Sequence, residues 1–447
     1  MGSGERTLII IFLFTLVLIN PMIRGDGWGY FSHLRSMVVD FDLDYSNEYE
    51  HANPKFKETA GKLPPTELGR TRNVWPIGCS LLWMPFYIPT HLVITFLKAL
   101  GFGISNDGYG LPYRISIALS SALIAFAGLF LSYRIASRLI DEKGALISTI
   151  TIWFASSLPA YMYFHPSHSH ACTVFTSALL FYLLLDAKEK GDSHRRWFLI
   201  GAVVGLATMV RLADSVLIAS ALTILVWRAV KDRGWGRYAL NLFLLIAGFM
   251  VAMIPQFIVW RRLNGSFFTT GYEYFPFDFK SPHIWGVLFS TYHGIFSWTP
   301  VLLIAVAGLI IAIVSIRERF FYIVALLPFA CFTYIQASYH DWHQVSSFGG
   351  RAFITYTPVF ILGLAFIISQ VLRWVRLRWI VIVSAVLIVW NLGLLFQFAI
   401  GMIPRDAPIS FREVVVNYRD IPVEAYNFAR DYFSGRSELR ERFYYDE

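Results

Sequence analysis

One acid in this 447-residue chain is notable for where it falls. Asp26 lies in Gly25-Asp26-Gly27-Trp28-Gly29-Tyr30, directly after the apolar run Leu8–Ile23. If that run crosses a membrane, the carboxylate sits at the mouth of the span, where it can act as general base on a hydroxyl. The plainer use of the same residues is an interfacial turn, with Asp as helix cap and Trp and Tyr in the headgroup belt. Cationic groups beside such a base would complete a transfer reaction by holding a phosphate leaving group and stabilising its charge. Arg211, in Thr208-Met209-Val210-Arg211, and Arg351, closing Ser346-Ser347-Phe348-Gly349-Gly350-Arg351, are the candidates. Arginine can grip a lipid phosphate with two parallel hydrogen bonds. Arg211 equally suits an ion pair with Asp214, and the run before Arg351 reads either as a helix entry or as an anion nest.

Other polar clusters accompany these. Tyr30, Arg35, Asp44 and Glu48 come from the first loop, Tyr272, Glu273 and His293 from a later one, and each is a candidate for holding substrate. His168 and His170, with His165, form a close-spaced trio that a divalent metal would accept as ligands, although His170 also suits a plain helix start. The alternation Asp40, Asp42, Asp44 is a metal candidate or a solvated turn. No Walker loop, dinucleotide fingerprint or nucleophile elbow is present. The cysteines Cys79, Cys172 and Cys331 have no metal-ligand spacing and read as core.

These groups need a membrane scaffold. The chain is 56% hydrophobic and 15% charged, with 17% aromatics, which describes an all-α polytopic membrane protein. The net charge of +8 resides in short loops between apolar runs, so it reports topology and gives no case for nucleic-acid binding. Basic clusters follow Tyr133, Leu185, Trp227, Ile316 and Leu372, and the positive-inside rule assigns their side to the cytoplasm. From a cytoplasmic N-terminus and an uncleaved first anchor, all of these clusters land inside only if Ile77–Leu100 does not cross. Pro85, Pro89 and His91 within that run suit a re-entrant or interfacial helix. Phe198–Trp227 is too long for one span and is expected to fold as a hairpin with its apex at Arg211–Asp214. About eleven transmembrane helices result, within a transmembrane domain over residues 1–400. Its long external first loop, about 24–112, carries juxtamembrane helices. Residues 401–447 form a short extracytoplasmic tail with a helix at Val423–Phe443. Almost all the candidate residues fall on the extracytoplasmic face.

The ordered motifs Gly25–Tyr30, Trp75-Pro76-Ile77-Gly78, Tyr113-Arg114-Ile115-Ser116 and His165-Pro166-Ser167-His168-Ser169-His170-Ala171 carry a family resemblance. Thr208–Arg211, Ser290-Thr291-Tyr292-His293-Gly294-Ile295-Phe296-Ser297-Trp298-Thr299-Pro300 and Ser347–Arg351 complete it. Together they resemble a bacterial member of the GT-C superfamily of integral membrane glycosyltransferases. The resemblance lies in the family 39-like group of protein mannosyltransferases and aminoarabinose transferases. It implies a multi-pass protein of the plasma (inner) membrane that moves a sugar from a polyprenyl-phosphate donor to a lipid, glycan or protein acceptor. It also implies Asp26 as the first-loop catalytic acid and Arg211 as the contact to the lipid phosphate. Many relatives have an acid in the second external loop where this chain has His168 and His170, which leaves use of a metal open. A transporter or flippase of lipid-linked sugars is the alternative, and it would call for inverted repeats and mid-span polar groups.

Overall fold

The computed structural model describes residues 2–58, 62–191, 193–270, 276–316 and 319–434. Among these residues the regular elements are helical, apart from one isolated bridge between Phe277 and Tyr339. In chain order the helices begin with α1 (Ser3–Thr15), α2 (Gly27–Arg35), α3 (Ser46–His51), α4 (Pro54–Glu58) and α5 (Gly78–Ala99). There follow α6 (Leu111–Leu139), α7 (Glu142–Phe154), α8 (His170–Lys190), α9 (His194–Val210), α10 (Ile218–Asp232) and α11 (Trp235–Asn264). The chain then forms α12 (Ile284–Phe289), α13 (Ile295–Trp298), α14 (Pro300–Ser315), α15 (Phe320–Ser338), α16 (Thr357–Val371), α17 (Leu377–Ala399) and α18 (Phe411–Ser434).

Two ends of the bundle can be told apart by their chemistry. At one end Glu5 of α1 pairs with Arg134 of α6 at 2.8 Å, and Arg138 pairs with Asp186 of α8 at 2.8 Å. The N-terminus therefore lies beside the basic loops, the relation that the charge pattern called for. At the other end α2, the 165–170 turn and Arg351 meet.

The long apolar stretch 198–227 breaks where expected. Helix α9 stops at Val210, Arg211 is extended, and a 3-10 segment Leu212–Leu217 leads into α10. The packing of α9 on α11 shows that the chain turns back here. A Cβ on Gly201 would lie 1.9 Å from the Leu245 carbonyl oxygen, and one on Gly205 would lie 2.8 Å from that of Phe249. Both residue numbers rise together, so α9 and α11 are parallel and α10 must run the opposite way between them.

Helix α5 starts at the Asp26 end. Just before its first turn the Ile77 amide donates to Gln256 Oε1 (2.8 Å), and Ser80 Oγ donates to the Tyr30 carbonyl (2.6 Å). Further along, Tyr87 donates to the Gly108 carbonyl (3.0 Å), and Arg35 Nε of the first loop donates to that of Asp107 (2.7 Å). The helix has the length and apolarity of a span, and its first half packs against α2 and the chain that leads into α6.

Eight helices among the described residues are long and apolar enough to cross a membrane, and α5 is one of them, so seven of the eleven expected spans meet that measure. The other four, near Leu8, Ala145, Phe198 and Val301, form helices of 13, 13, 17 and 16 residues. The first three of these end in irregular chain on the Asp26 side. The break after Phe154, at Ser156-Ser157-Leu158-Pro159, is bridged by Asn391 of α17, which donates to the Phe154 and Ser156 carbonyls at 2.9 and 2.7 Å.

The C-terminal segment packs back onto the bundle. Ile403, Ile409 and Val414 are buried, Gln397 donates to the Val414 carbonyl at 3.1 Å, and Tyr418 stacks on Trp390. The tail helix begins at Phe411, earlier than expected, and residues 435–443 of the expected helix lie outside the described residues.

Candidate active site

Asp26 occupies the N-cap position of α2, but its side chain makes no cap hydrogen bond. The carboxylate instead faces two groups brought from far along the chain. Its Oδ2 lies 3.9 Å from Arg351 Nη2 and 4.0 Å from His168 Nδ1. Gly25 makes the turn that allows this, with a left-handed φ of +47°. Gly29 lets Trp75 lie against α2, since a Cβ there would come within 2.0 Å of the indole.

The histidine turn supplies the second wall. The rings of His165, His168 and His170 surround Tyr161, with centroids 5.9, 5.7 and 4.7 Å away. His168 Nε2 donates to the Arg24 carbonyl at 3.1 Å. Burial pushes the His168 imidazole down to about 4, against the upward pull of Asp26 and with the help of Arg351. His165 is held well below the usual histidine range, chiefly by burial and also by His168. Tyr30 anchors α2 to this turn by donating to Ser169 Oγ at 3.0 Å. His170 is buried, and its Nδ1 has no hydrogen-bond partner in the protein. Among the described residues no group of three or more His, Cys, Asp or Glu is placed to hold a metal.

Arg351 reaches the cavity from a strained loop. Gln344 and Ser346 have φ of +56° and +58°, values unusual for residues other than glycine, and such strain collects at functional sites. Two amides of this segment are engaged within the protein. Phe348 donates to the Tyr161 hydroxyl at 3.0 Å and Ala352 to Gln344 Oε1 at 2.9 Å. The segment leads into the 3-10 turn Arg351–Tyr356, a helix entry that aims an arginine. Arg211 Nη1 donates to the Ala352 carbonyl at 2.9 Å and lies 3.7 Å from Asp214, which accepts from Thr355 at 3.0 Å. Arg211 thus braces the turn that carries Arg351 and is not in the cavity lining.

A cavity of about 210 Å³ opens at this junction. Asp26, His165, His168 and Arg351 line it together with Arg24, Lys55, Trp75, Tyr161, Ser346, Phe398 and Arg405. Three of its four cationic residues were absent from the expected substrate set. Arg24 was legible as the neighbour of Asp26, and Lys55 belongs to the first loop. Arg405 comes from the segment assigned to the tail and had no sequence signal beyond following the last apolar run.

Several expected site residues lie elsewhere. Arg35 is buried against Glu48 (2.6 Å) and Asp40 and donates to the Asp107 carbonyl, so it ties the first loop together. Burial raises the Glu48 carboxyl to about 7, against the lowering by Arg35. Asp44 accepts from the Ser46 amide and hydroxyl at 3.1 and 2.7 Å on an exposed turn, while Asp42 accepts from Ser36. The three aspartates of the alternation thus serve separate partners. His293 stands at φ +61° and is bonded through Nδ1 to the His343 carbonyl at 2.7 Å. Burial holds it down at about 4, and it is not part of the cavity lining. Tyr272 and Glu273 lie outside the described residues.

Residues 92–260 match the family model of dolichyl-phosphate-mannose-protein mannosyltransferases. That segment includes the histidine turn and Arg211 but neither Asp26 nor Arg351. The GT-C resemblance read from the loop motifs thus has an independent match within the chain. A comparison with curated proteins found no match. Among solved structures, ArnT from Cupriavidus metallidurans bound to undecaprenyl phosphate is 16% identical, with a TM-score of 0.48 over 89% of this chain and 63% of that one. The same protein in its apo state is 15% identical, with a TM-score of 0.47 over 89% of this chain and 64% of the other. The chain therefore spans less than two thirds of the length of these structures.

Proposed function

We propose that this protein is a membrane glycosyltransferase that moves a sugar from a polyprenyl-phosphate donor to an acceptor hydroxyl at the extracytoplasmic face of the plasma membrane. The observation that carries this reading is the meeting of Asp26 with Arg351 in a cavity that also holds Arg24, Lys55 and Arg405. One carboxylate among four cations suits a base beside a site for a dianionic phosphate. The match to dolichyl-phosphate-mannose-protein mannosyltransferases supports the donor class.

In this reaction Asp26 takes the proton of the acceptor hydroxyl as its oxygen attacks the anomeric carbon. The bond from that carbon to the phosphate oxygen breaks, and the electron pair leaves with the polyprenyl phosphate. Arg351 and the neighbouring cations stabilise the departing charge. A single in-line displacement inverts the anomeric centre. Arg211 acts here through its hold on the Arg351 turn and by adding positive potential behind it. Trp75 and Tyr161 supply aromatic faces for the sugar ring.

The test uses membranes containing wild type or Asp26→Asn, supplied with radiolabelled polyprenyl-phosphate sugars and a crude acceptor extract. Wild type should transfer label, and the variant, expressed and folded alike, should lose at least about 100-fold. Full transfer by Asp26→Asn would remove the carboxylate from the mechanism. Movement of labelled donor across the bilayer without transfer would favour a flippase.

A further inference from the structure

Two hydrogen-bond acceptors face one another in the cavity wall. Asp26 Oδ2 and His168 Nδ1 are 4.0 Å apart. The other nitrogen of the ring, Nε2, lies 3.1 Å from the Arg24 carbonyl, which can only accept, so the proton of the neutral ring is on Nε2. Nδ1 is then a bare lone pair. The ring is only 6% exposed, and Nδ1 finds no donor within the protein. Neither this lone pair nor an ionised carboxylate has a hydrogen to offer the other. A buried acceptor left without a donor is unfavourable, and such groups gather where a ligand completes them.

We propose that His168 is a positioning residue for the acceptor substrate, receiving a hydrogen bond at Nδ1 from a group adjacent to the hydroxyl that Asp26 deprotonates. The inference rests on the glycosyl-transfer reading above. It also specifies the acceptor, which carries two donors side by side, as neighbouring hydroxyls of a sugar or polyol do. An isolated serine or threonine hydroxyl offers one donor and would leave Nδ1 unmatched.

Two substitutions separate this role from a structural one. In His168→Gln the amide reaches the Nε2 position and keeps the bond to Arg24 but loses the acceptor at Nδ1. In His168→Asn an amide oxygen stands near the Nδ1 position while the bond to Arg24 is lost. With polyprenyl-phosphate sugar and membrane extract as acceptor, His168→Gln should fall about 100-fold in kcat/KM, mainly through the acceptor KM, and His168→Asn about 10-fold. The reverse order would overturn the proposal by making the Arg24 link the purpose of the ring. Label found only on protein hydroxyls, released by β-elimination, would overturn it as well.

A readout independent of turnover is long-range nitrogen–proton NMR of the histidine-labelled full chain in nanodiscs, with the His168 signal assigned by its loss in His168→Gln. A bare Nδ1 and a protonated Nε2 at neutral pH are expected, and a proton on Nδ1 would overturn the proposal. Unimpaired transfer by Asp26→Asn, or none by wild type, removes the underlying reading and this inference with it. Loss in Asp26→Asn alongside unimpaired His168→Gln removes only the inference.

Discussion

At the scale of single residues, charge alone did not mark which groups belong to the site. Asp26 and Asp44 are both first-loop acids, yet one faces Arg351 and the other closes a local turn with Ser46. Arg351→Lys keeps the charge but loses the planar fork, so kcat/KM should drop about 10- to 100-fold, as measured with saturating acceptor and varied donor. A drop no larger than twofold would move the phosphate toward Arg24 or Arg405. Arg35 offers the contrast. Removing it in Arg35→Ala leaves Glu48 buried without its partner, and thermal unfolding in detergent should register a loss of about 3–5 kcal/mol. Asp44→Ala, on an exposed turn, should stay within about 0.5 kcal/mol of wild type.

At the scale of elements, the close contact of α9 with α11 fixes the apex that carries Arg211. Small residues let the two backbones meet, with a Cβ on Gly248 placed 2.0 Å from the Phe198 carbonyl oxygen. Gly248→Val should therefore force the helices apart and cost about 1–3 kcal/mol. A lower unfolding temperature in detergent would show it, accompanied by reduced transfer as Arg211 and the Ala352 turn shift. Gly103→Ala is the control, since nothing lies within 4 Å of a Cβ there. An unchanged unfolding temperature in Gly248→Val would mean that the α9–α11 contact is looser than described.

At the scale of the whole molecule, buried neutral histidines tie the Asp26 end together and make its stability depend on pH. His33, His168 and His293 titrate at about 4 in the folded chain against an ordinary value of 6.5, with burial the first cause in each. The unfolded chain takes up these protons first as pH falls, so their contribution is full above 6.5 and is lost on the way down to 4. Glu48, raised to about 7 from 4.5, acts in the opposite sense and gains stability as pH falls through that range. Three histidines outweigh one glutamate with a shift of similar size. The unfolding temperature of the solubilised protein should therefore decline between pH 6.5 and pH 4. A flat or rising profile would mean that water reaches these rings in the folded state.

The membrane class and the break at Arg211 were legible in the chain. Apolar length and loop charge are local quantities that the bilayer converts directly into topology. Asp26 was legible too, because its place after the first apolar run needed no knowledge of distant contacts. The partners of that carboxylate were a different matter. His168 and Arg351, and Arg405 across the same cavity, lie far apart along the chain, and no periodicity links them. Arg35 and Glu48 looked as suited to substrate as Arg351 until packing buried them against each other. Which ionisable groups pair internally and which face a cavity is settled by the lowest-energy packing of the helices and loops. Only the tertiary structure could divide this chain's charges between those that hold it together and those that face the cavity.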